Sequence, residues 1–386
     1  MSTLMFINKE SLDAMADKLR DILDTEETFS LPDGMVSNIG ECYKKGKDEM
    51  VLLNGITSYD MTQDSHTKDS VYRPYAFAGN TGLTSITLSN KTIPEYCCLN
   101  CTGLTSVRVK NSSGNTVSSM RTSRGSFKGC SSLTSIPQLG SSIAEEAFYG
   151  CSSLTSISFE TSISSIGNSA FRESGLTQIS KSLKNGAQYP LTIGDYAFSD
   201  CTDLTSVNLT KTTGNFSLGR YCFSGDTSLT SVVLPATTTS IPDYCFNGCT
   251  SLTGITIPAS VTSIGNYAFN GCTNLEEVIF EGASNLRTIG QRAFYGCSSL
   301  VNFVVPATVS AIESYAFANC DIMEYIRLLP TTPPTAGSYM FSNTINNPLT
   351  IYVPDSTDDV VLEAYRNATN WKTTSYKSHM AVWEAN

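Results

Sequence analysis

The sequence predicts a solenoid lined by short parallel β-strands, about twelve coils long, with a small N-terminal helical segment and a C-terminal cap of one strand and one helix. Three observations predict it. The decapeptide Ser240–Cys249, SIPDYCFNGC, returns 23 residues later as SIGNYAFNGC at Ser263–Cys272. The phenylalanine inside it recurs as Phe77, Phe127, Phe148, Phe171, Phe198, Phe223, Phe246, Phe269, Phe294, Phe317 and Phe341, with Cys98 in the same place between the first two, at intervals of 21 to 29 residues. A leucine follows most of these positions at a fixed distance and opens an alternating apolar stretch. A period of this length marks a repeat unit that cannot bury its apolar side alone and must stack on a neighbour.

Each part of the coil has a physical reason. The leucine column (Leu83, Leu104, Leu133, Leu154, Leu204, Leu229, Leu252, Leu275, Leu300, then Met323) leads into pairs such as Ile255 and Ile257. That alternation puts Ile255 and Ile257 on one face of a strand and Gly254 and Thr256 on the other. Pro235, Pro258 and Pro306 stop the strand, because a residue without an N–H cannot continue a ladder. A second apolar segment follows, as at Val261 and Ile264, and Ala268 and Phe269 then point inward. Two residues after each aromatic stands Gly, Asn or Asp (Gly79, Asn100, Gly129, Gly150, Asp200, Gly225, Gly248, Gly271, Gly296, Asn319), types that accept the left-handed backbone of a turn.

The motifs LTSITIP and SIGxYAFxGC, repeated nearly verbatim from about Tyr72 to Phe341, resemble the BspA-like family of bacterial leucine-rich repeats, also called the Treponema pallidum type. The resemblance implies a leucine-rich-repeat solenoid over 75–346. The departures are Cys98 in the aromatic column, the shortened run Phe171-Arg172-Glu173-Ser174-Gly175-Leu176, and a degenerate last coil.

Composition narrows the function. A net charge of −10 and a pI near 4.8 argue against nucleic acid, which rewards a basic face. No apolar run approaches the roughly 18 residues of a membrane span, and the start MSTLMFINKESLDAMADKLRDIL lacks a basic stretch followed by an apolar block, so neither membrane insertion nor a signal peptide is expected. The thirteen cysteines suggest disulfides until their positions are read. Cys101, Cys130, Cys151, Cys201, Cys249, Cys272, Cys297 and Cys320 share one column after the turn, and Cys97, Cys222 and Cys245 replace the inward alanine. Equivalent residues of stacked coils lie about 4.8 Å apart with parallel Cβ vectors, too far for the usual bridge, so buried free thiols in a chain folded in a reducing cytoplasm are expected.

Before the repeats, Leu12, Met15, Leu19, Ile22 and Leu23 are spaced for an amphipathic helix after Asn8, and Met35, Val36, Ile39 and Tyr43 for a shorter one after Pro32. This hairpin over 1–48 resembles segments preceding repeats in tail proteins of phages and prophages of gut bacteria, and Met50 to Ile56, leading into Tyr75-Ala76-Phe77, resembles the way those proteins begin their repeats. Residues 49–74 are read as a lead-in cap, and covering the first open coil is sufficient reason for the whole N-terminal part. Residues 347–386 form the C-terminal cap and tail: a strand at Leu349–Pro354, a helix over 358–368 with Val361, Ala364 and Tyr365 on one side, and Trp371. This closing pattern also resembles BspA-like proteins. From Thr373 no periodicity is visible.

Insertions at 110–125, 181–190, 210–216 and 281–285 fall at one phase of the repeat and should emerge along one edge. The first lies near Arg108, Lys110, Arg121, Arg124 and Lys128, a secondary basic patch suited to an anionic polymer, or a solvated loop.

Catalytic motifs are absent. His66 and His379 stand in no motif, Cys97-Cys98-x-x-Cys101 follows the repeat columns, and there is no phosphate loop, nucleophile elbow or zinc-helix motif. Carboxylates from distant coils could still pair for glycoside hydrolysis, but outward strand positions are mostly Ser and Thr, and we read a non-enzymatic chain without cofactor or metal. The outward pairs grow larger and mixed from the ninth coil, so Glu277, Ile279, Asn302, Val304, Tyr325 and Arg327 form the expected recognition patch; β-propensity alone also accounts for Ile279 and Val233.

The functional readings are a phage or prophage tail protein, localised to the virion after cytoplasmic synthesis, and a secreted or cell-surface BspA-like adhesin. In the first, residues 1–48 join other tail proteins and the solenoid binds a protein or glycan receptor on a bacterial surface. A cytoplasmic scaffold or glycan-processing enzyme is the third.

Overall fold

A computed structural model describes residues 57–60, 77–88, 93–110, 115–116, 119–159, 163–180, 190–210, 214–344, 349–355, 359–371 and 379–383. The expected N-terminal hairpin lies outside the described residues. The chain divides into two compact units, Met1–Glu160 and Thr161–Asn386, and the described residues of each form a parallel β-solenoid with little helix.

In the first unit the strands Ser85–Leu88 and Ser106–Val109 pair in parallel, with Ser85 opposite Ser106, and a bridge continues from Ser106 to Ser135. An additional strand, Ser58–Asp60, precedes them with Ser58 opposite Ser85. The lead-in segment therefore already carries the Thr-Ser start of a repeat strand: the Thr84 hydroxyl donates to the Thr57 carbonyl at 2.7 Å, just as Thr105 donates to Thr84 at 2.9 Å. Phe77, Cys98, Phe127 and Phe148 are all buried, and the Phe127 and Phe148 rings stack at 5.6 Å.

The second unit repeats the pattern in longer form. Gln178–Ser180, Ser206–Asn208 and Ser231–Val233 pair side by side; Gly254–Ile257 pairs with Glu277–Phe280; and Asn302–Val305, Tyr325–Leu328, Thr350–Pro354 and Met380–Trp383 form a four-stranded parallel sheet. Strand burial alternates as expected: Ile255 and Ile257 are buried while Gly254 and Thr256 are not. Strands end before Pro235, Pro258 and Pro306, whose carbonyls accept turn bonds from Thr238, Val261 and Val309, each at 3.0 Å. The second apolar segment forms its own five-stranded ladder, Ser240–Ile241 through Thr335–Ala336.

The remaining side of each coil is not helical. Its N–H groups bond to the following coil: Phe198 to Cys222, Phe246 to Ala268 and Phe269 to Ala293, at 2.8–2.9 Å. Two left-handed residues per coil make this possible. One is the expected glycine column, as at Gly248 (φ 73°); the other is a tyrosine column, as at Tyr244 (φ 57°). Between them the phenylalanines stack from Phe171 to Phe341, with neighbouring centroids 5.2–5.9 Å apart.

The cysteines do what their column predicted and more. Every described cysteine is buried and free. Cys201, Cys249, Cys272, Cys297 and Cys320 each donate a thiol hydrogen to the aromatic column's carbonyl one coil back, at 3.1–3.3 Å. Burial pushes the Cys272 and Cys320 thiols up to about 12, so they stay protonated donors and not nucleophiles.

The C-terminal cap differs from expectation in two respects. The helix spans Val360–Asn367, shorter than 358–368, and buries Leu362 and Tyr365, while Ala364 is exposed and Val361 is half-buried. Its inward line is thus the i, i+3 pair set by what lies beneath: the Tyr365 hydroxyl donates to the Pro330 carbonyl at 2.9 Å and Trp371 Nε1 to the Pro334 carbonyl at 2.8 Å. The segment after Thr373, aperiodic in sequence, supplies the strand Met380–Trp383 beside Thr350–Pro354, with Ile351 opposite Met380.

Candidate functional site

The outward strand positions of the second unit make two rows. Parallel register sets Asn302 beside Tyr325 and Thr350 in one row, and Val304 beside Arg327 and Tyr352 in the other. Glu277 and Ile279 occupy the same phases on the strand Glu277–Phe280, which pairs with Gly254–Ile257 on one side and lies against Asn302–Val305 on the other. The six predicted residues thus occupy one face, four of them within a single hydrogen-bonded sheet. Glu277 is exposed and Ile279 is 46% exposed; the other four are half-buried by their neighbours in the rows. Tyr352, which the sequence reading missed, belongs to this face: its ring meets Tyr325 edge-on at 5.8 Å and it stands beside Arg327. The alternation in Ile351-Tyr352-Val353 was a sufficient signal. The arrangement offers an aliphatic area at Ile279 and Val304, an aromatic pair and two opposite charges, a composition suited to macromolecular contact.

The five basic residues do not form one free patch. Arg108 lies exposed on the strand Ser106–Val109, Lys110 follows it, and Arg121 is exposed within the insertion. Arg124 meets Glu145 at 3.2 Å, while Lys128 is 9% exposed, 3.0 Å from Glu146 and above the Tyr149 ring at 4.8 Å. The neighbouring coil's glutamates, unremarked in the sequence, neutralise the inner half of the cluster.

A further feature was visible in sequence only as the recurrent Tyr before Ala-Phe or Cys-Phe. Tyr196, Tyr221, Tyr244 and Tyr267 form a half-buried row with ring centroids 4.5, 4.4 and 4.6 Å apart and planes within 9°. Burial and the neighbouring tyrosines raise the pKa of Tyr221 above its ordinary value. What the sequence does not display is the positive φ that aligns these side chains.

Among the described residues, no group of three or more His, Cys, Asp or Glu side chains is arranged to hold a metal ion, and no described helix is long and apolar enough to cross a membrane. Comparison with known proteins places the repeats. No curated protein matches the chain. Among solved structures, the chain is similar to a leucine-rich repeat protein from Bacteroides ovatus (22% identity over 81% of this chain and 86% of that one, TM-score 0.35). It is also similar to the Treponema pallidum leucine-rich repeat protein (26%, 44% and 77%, TM-score 0.38). A third is a leucine-rich cell surface protein from Faecalibacterium prausnitzii (20%, 82% and 86%, TM-score 0.40). The family model described as BspA type leucine rich repeat region matches residues 63–134, 121–250, 191–324 and 287–385. With its coil columns and with matches spanning nearly all the repeats, the chain belongs to the BspA-type leucine-rich repeat family.

Proposed function

We propose that this chain is a non-enzymatic binding protein of a phage or prophage tail, a fibre or tip component whose solenoid recognises a protein or glycan receptor on a bacterial surface. Residues 1–48 join it to other tail proteins in this reading. The observation that carries the binding role is the outward face of Asn302, Val304, Tyr325, Arg327 and Tyr352, held in register by parallel strands, where the earlier coils present mostly Ser and Thr. A preorganised sheet face loses little side-chain and backbone freedom on binding, and repetition along it adds weak contacts. The tail assignment is supported by the resemblance of the N-terminal segment and by the reduced, buried thiols, which suit cytoplasmic synthesis. Family membership favours a second reading, a secreted or cell-surface adhesin.

Binding of fluorescent full-length protein to a panel of gut bacterial strains tests the face. Tyr325→Ala combined with Arg327→Ala is expected to weaken binding by at least about 30-fold, the loss typical of a central contact. Unchanged binding by a variant with unchanged melting temperature would remove this face from the account.

A further inference from the structure

The tyrosine row of the second unit contains one cation. Where neighbouring coils carry Tyr267 and Tyr315, the intervening coil carries Arg292, also left-handed (φ 53°). Its guanidinium carbon lies 5.5 Å from the Tyr267 ring centroid, 5.0 Å from that of Tyr315 and 5.5 Å from that of Tyr295, and Nη1 donates to the Tyr267 hydroxyl at 2.7 Å. Nε is buried without a hydrogen-bond partner.

The other cations placed over rings have carboxylate partners. Lys128 over Tyr149 has Glu146 at 3.0 Å, and Arg172 over Tyr196 has Asp200 at 3.3 Å and Glu173 at 3.6 Å. Arg292 has no carboxylate within ion-pair distance among the described residues. The residues before it and its row neighbours are Asn266, Gln291 and Ser314, all uncharged. Stacking alone gives no reason for this choice, since tyrosine fills the position in the adjoining coils without desolvating a charge. The planar guanidinium keeps free N–H groups on Nη1 and Nη2, in the fork geometry that fits a carboxylate. Tyr267, which accepts from Nη1, still has its own proton to donate.

We propose that Arg292, flanked by Tyr267 and Tyr315, is a binding site for the carboxylate of an acidic glycan, separate from the strand face. One cation within a line of neutral phenol groups matches a polymer rich in hydroxyls with sparse carboxylates. An acidic peptide would call for further cations along the row, and the one other guanidinium set over a row ring, Arg172 at Tyr196, is already paired with Asp200 and Glu173.

Calorimetric titration of the full chain with a hyaluronan oligosaccharide, which carries one carboxylate on every second sugar, tests this, with neutral malto-oligosaccharide and a short poly-glutamate peptide as controls. The expected result is binding of the hyaluronan oligosaccharide alone, weakened at least about tenfold by Arg292→Gln and unaffected by Tyr325→Ala with Arg327→Ala, which separates this site from the strand face. Arg292→Tyr, the residue of the adjoining coils, keeps the stack and should also lose binding, so failure through misfolding is distinguishable by its retained melting temperature. The proposal is overturned if the wild type does not bind the hyaluronan oligosaccharide, if either Arg292 variant binds it as the wild type does, or if poly-glutamate binds as tightly.

Discussion

At position 226 the cysteine column of the second unit carries an aspartate. The column's residues supply a hydrogen to a carbonyl one coil back, and Thr344 shows the full pattern: its hydroxyl accepts from the Cys320 N–H at 3.2 Å and donates to the Phe317 carbonyl at 2.6 Å. Asp226 is fully buried, its Oδ1 accepts from the Cys201 N–H at 2.8 Å, and its Oδ2 has no partner. Burial raises its pKa well above the usual carboxylate range; the Cys201 N–H opposes this and nearby Asp200 adds to it. A carboxyl raised in the folded state holds its proton where the unfolded chain has released it. Its contribution is therefore fullest below the unfolded value of about 4 and declines as pH rises towards the folded value. Asp226→Cys is expected to raise stability at neutral pH by about 1–3 kcal/mol, the cost of an unsatisfied buried polar group. It should also flatten the melting temperature between pH 4 and pH 8 relative to wild type, measured by calorimetry; parallel profiles would contradict the assignment. At this scale the sequence was legible where a column repeats one residue type, as for Phe246, Leu252 and Cys249. It was opaque where a column is broken, because the demand on Asp226 comes from a neighbour 25 residues away in sequence.

The coil as an element depends on two left-handed residues, and only one was legible. Gly248 (φ 73°) declares itself by its type, whereas Tyr244 (φ 57°) does not, since a bulky residue is disfavoured there by about 1–2 kcal/mol. The cost is offset by ring stacking on Tyr221 and Tyr267 at 4.4 and 4.6 Å, each contact worth about 0.5–1.5 kcal/mol, and by the Tyr244 N–H bond to the Asn266 carbonyl at 2.8 Å. Tyr244→Ala keeps the backbone cost and loses the stacking; Tyr244→Gly loses both. Glycine is therefore expected to be the milder substitution by about 1 kcal/mol in denaturant unfolding, with both variants below wild type. An alanine variant as stable as the glycine one would refute the balance described. The strands themselves were readable from alternation and proline stops. Met380–Trp383 was not, because pairing with Thr350–Pro354 is non-local and has no repeat to announce it. The helix was placed but turned: Leu362 and Tyr365 face inward because the Pro330 and Pro334 carbonyls are there to receive Tyr365 and Trp371.

At the scale of the molecule, the repeats establish the family and the solenoid fold, and each unit holds its coils by ladders on every side: strand pairs, phenylalanine stacks and thiol-to-carbonyl bonds. Such a scaffold has little need of individual surface residues, which leaves the outward strand positions open to binding. The placement of the six outward residues on one strand face was legible from alternation, which would also have found Tyr352, while the carboxylates around Arg124 and Lys128 emerged only from the contacts between coils. The proposed role, a receptor-binding protein carried by a phage tail, is tested most directly by quantitative mass spectrometry of purified particles induced from the producing bacterium. The account predicts this chain in the particles at a fixed copy number relative to the major tail protein. Its absence from particles, with recovery from the cell envelope or the medium, would contradict the tail assignment and leave the adhesin reading in its place.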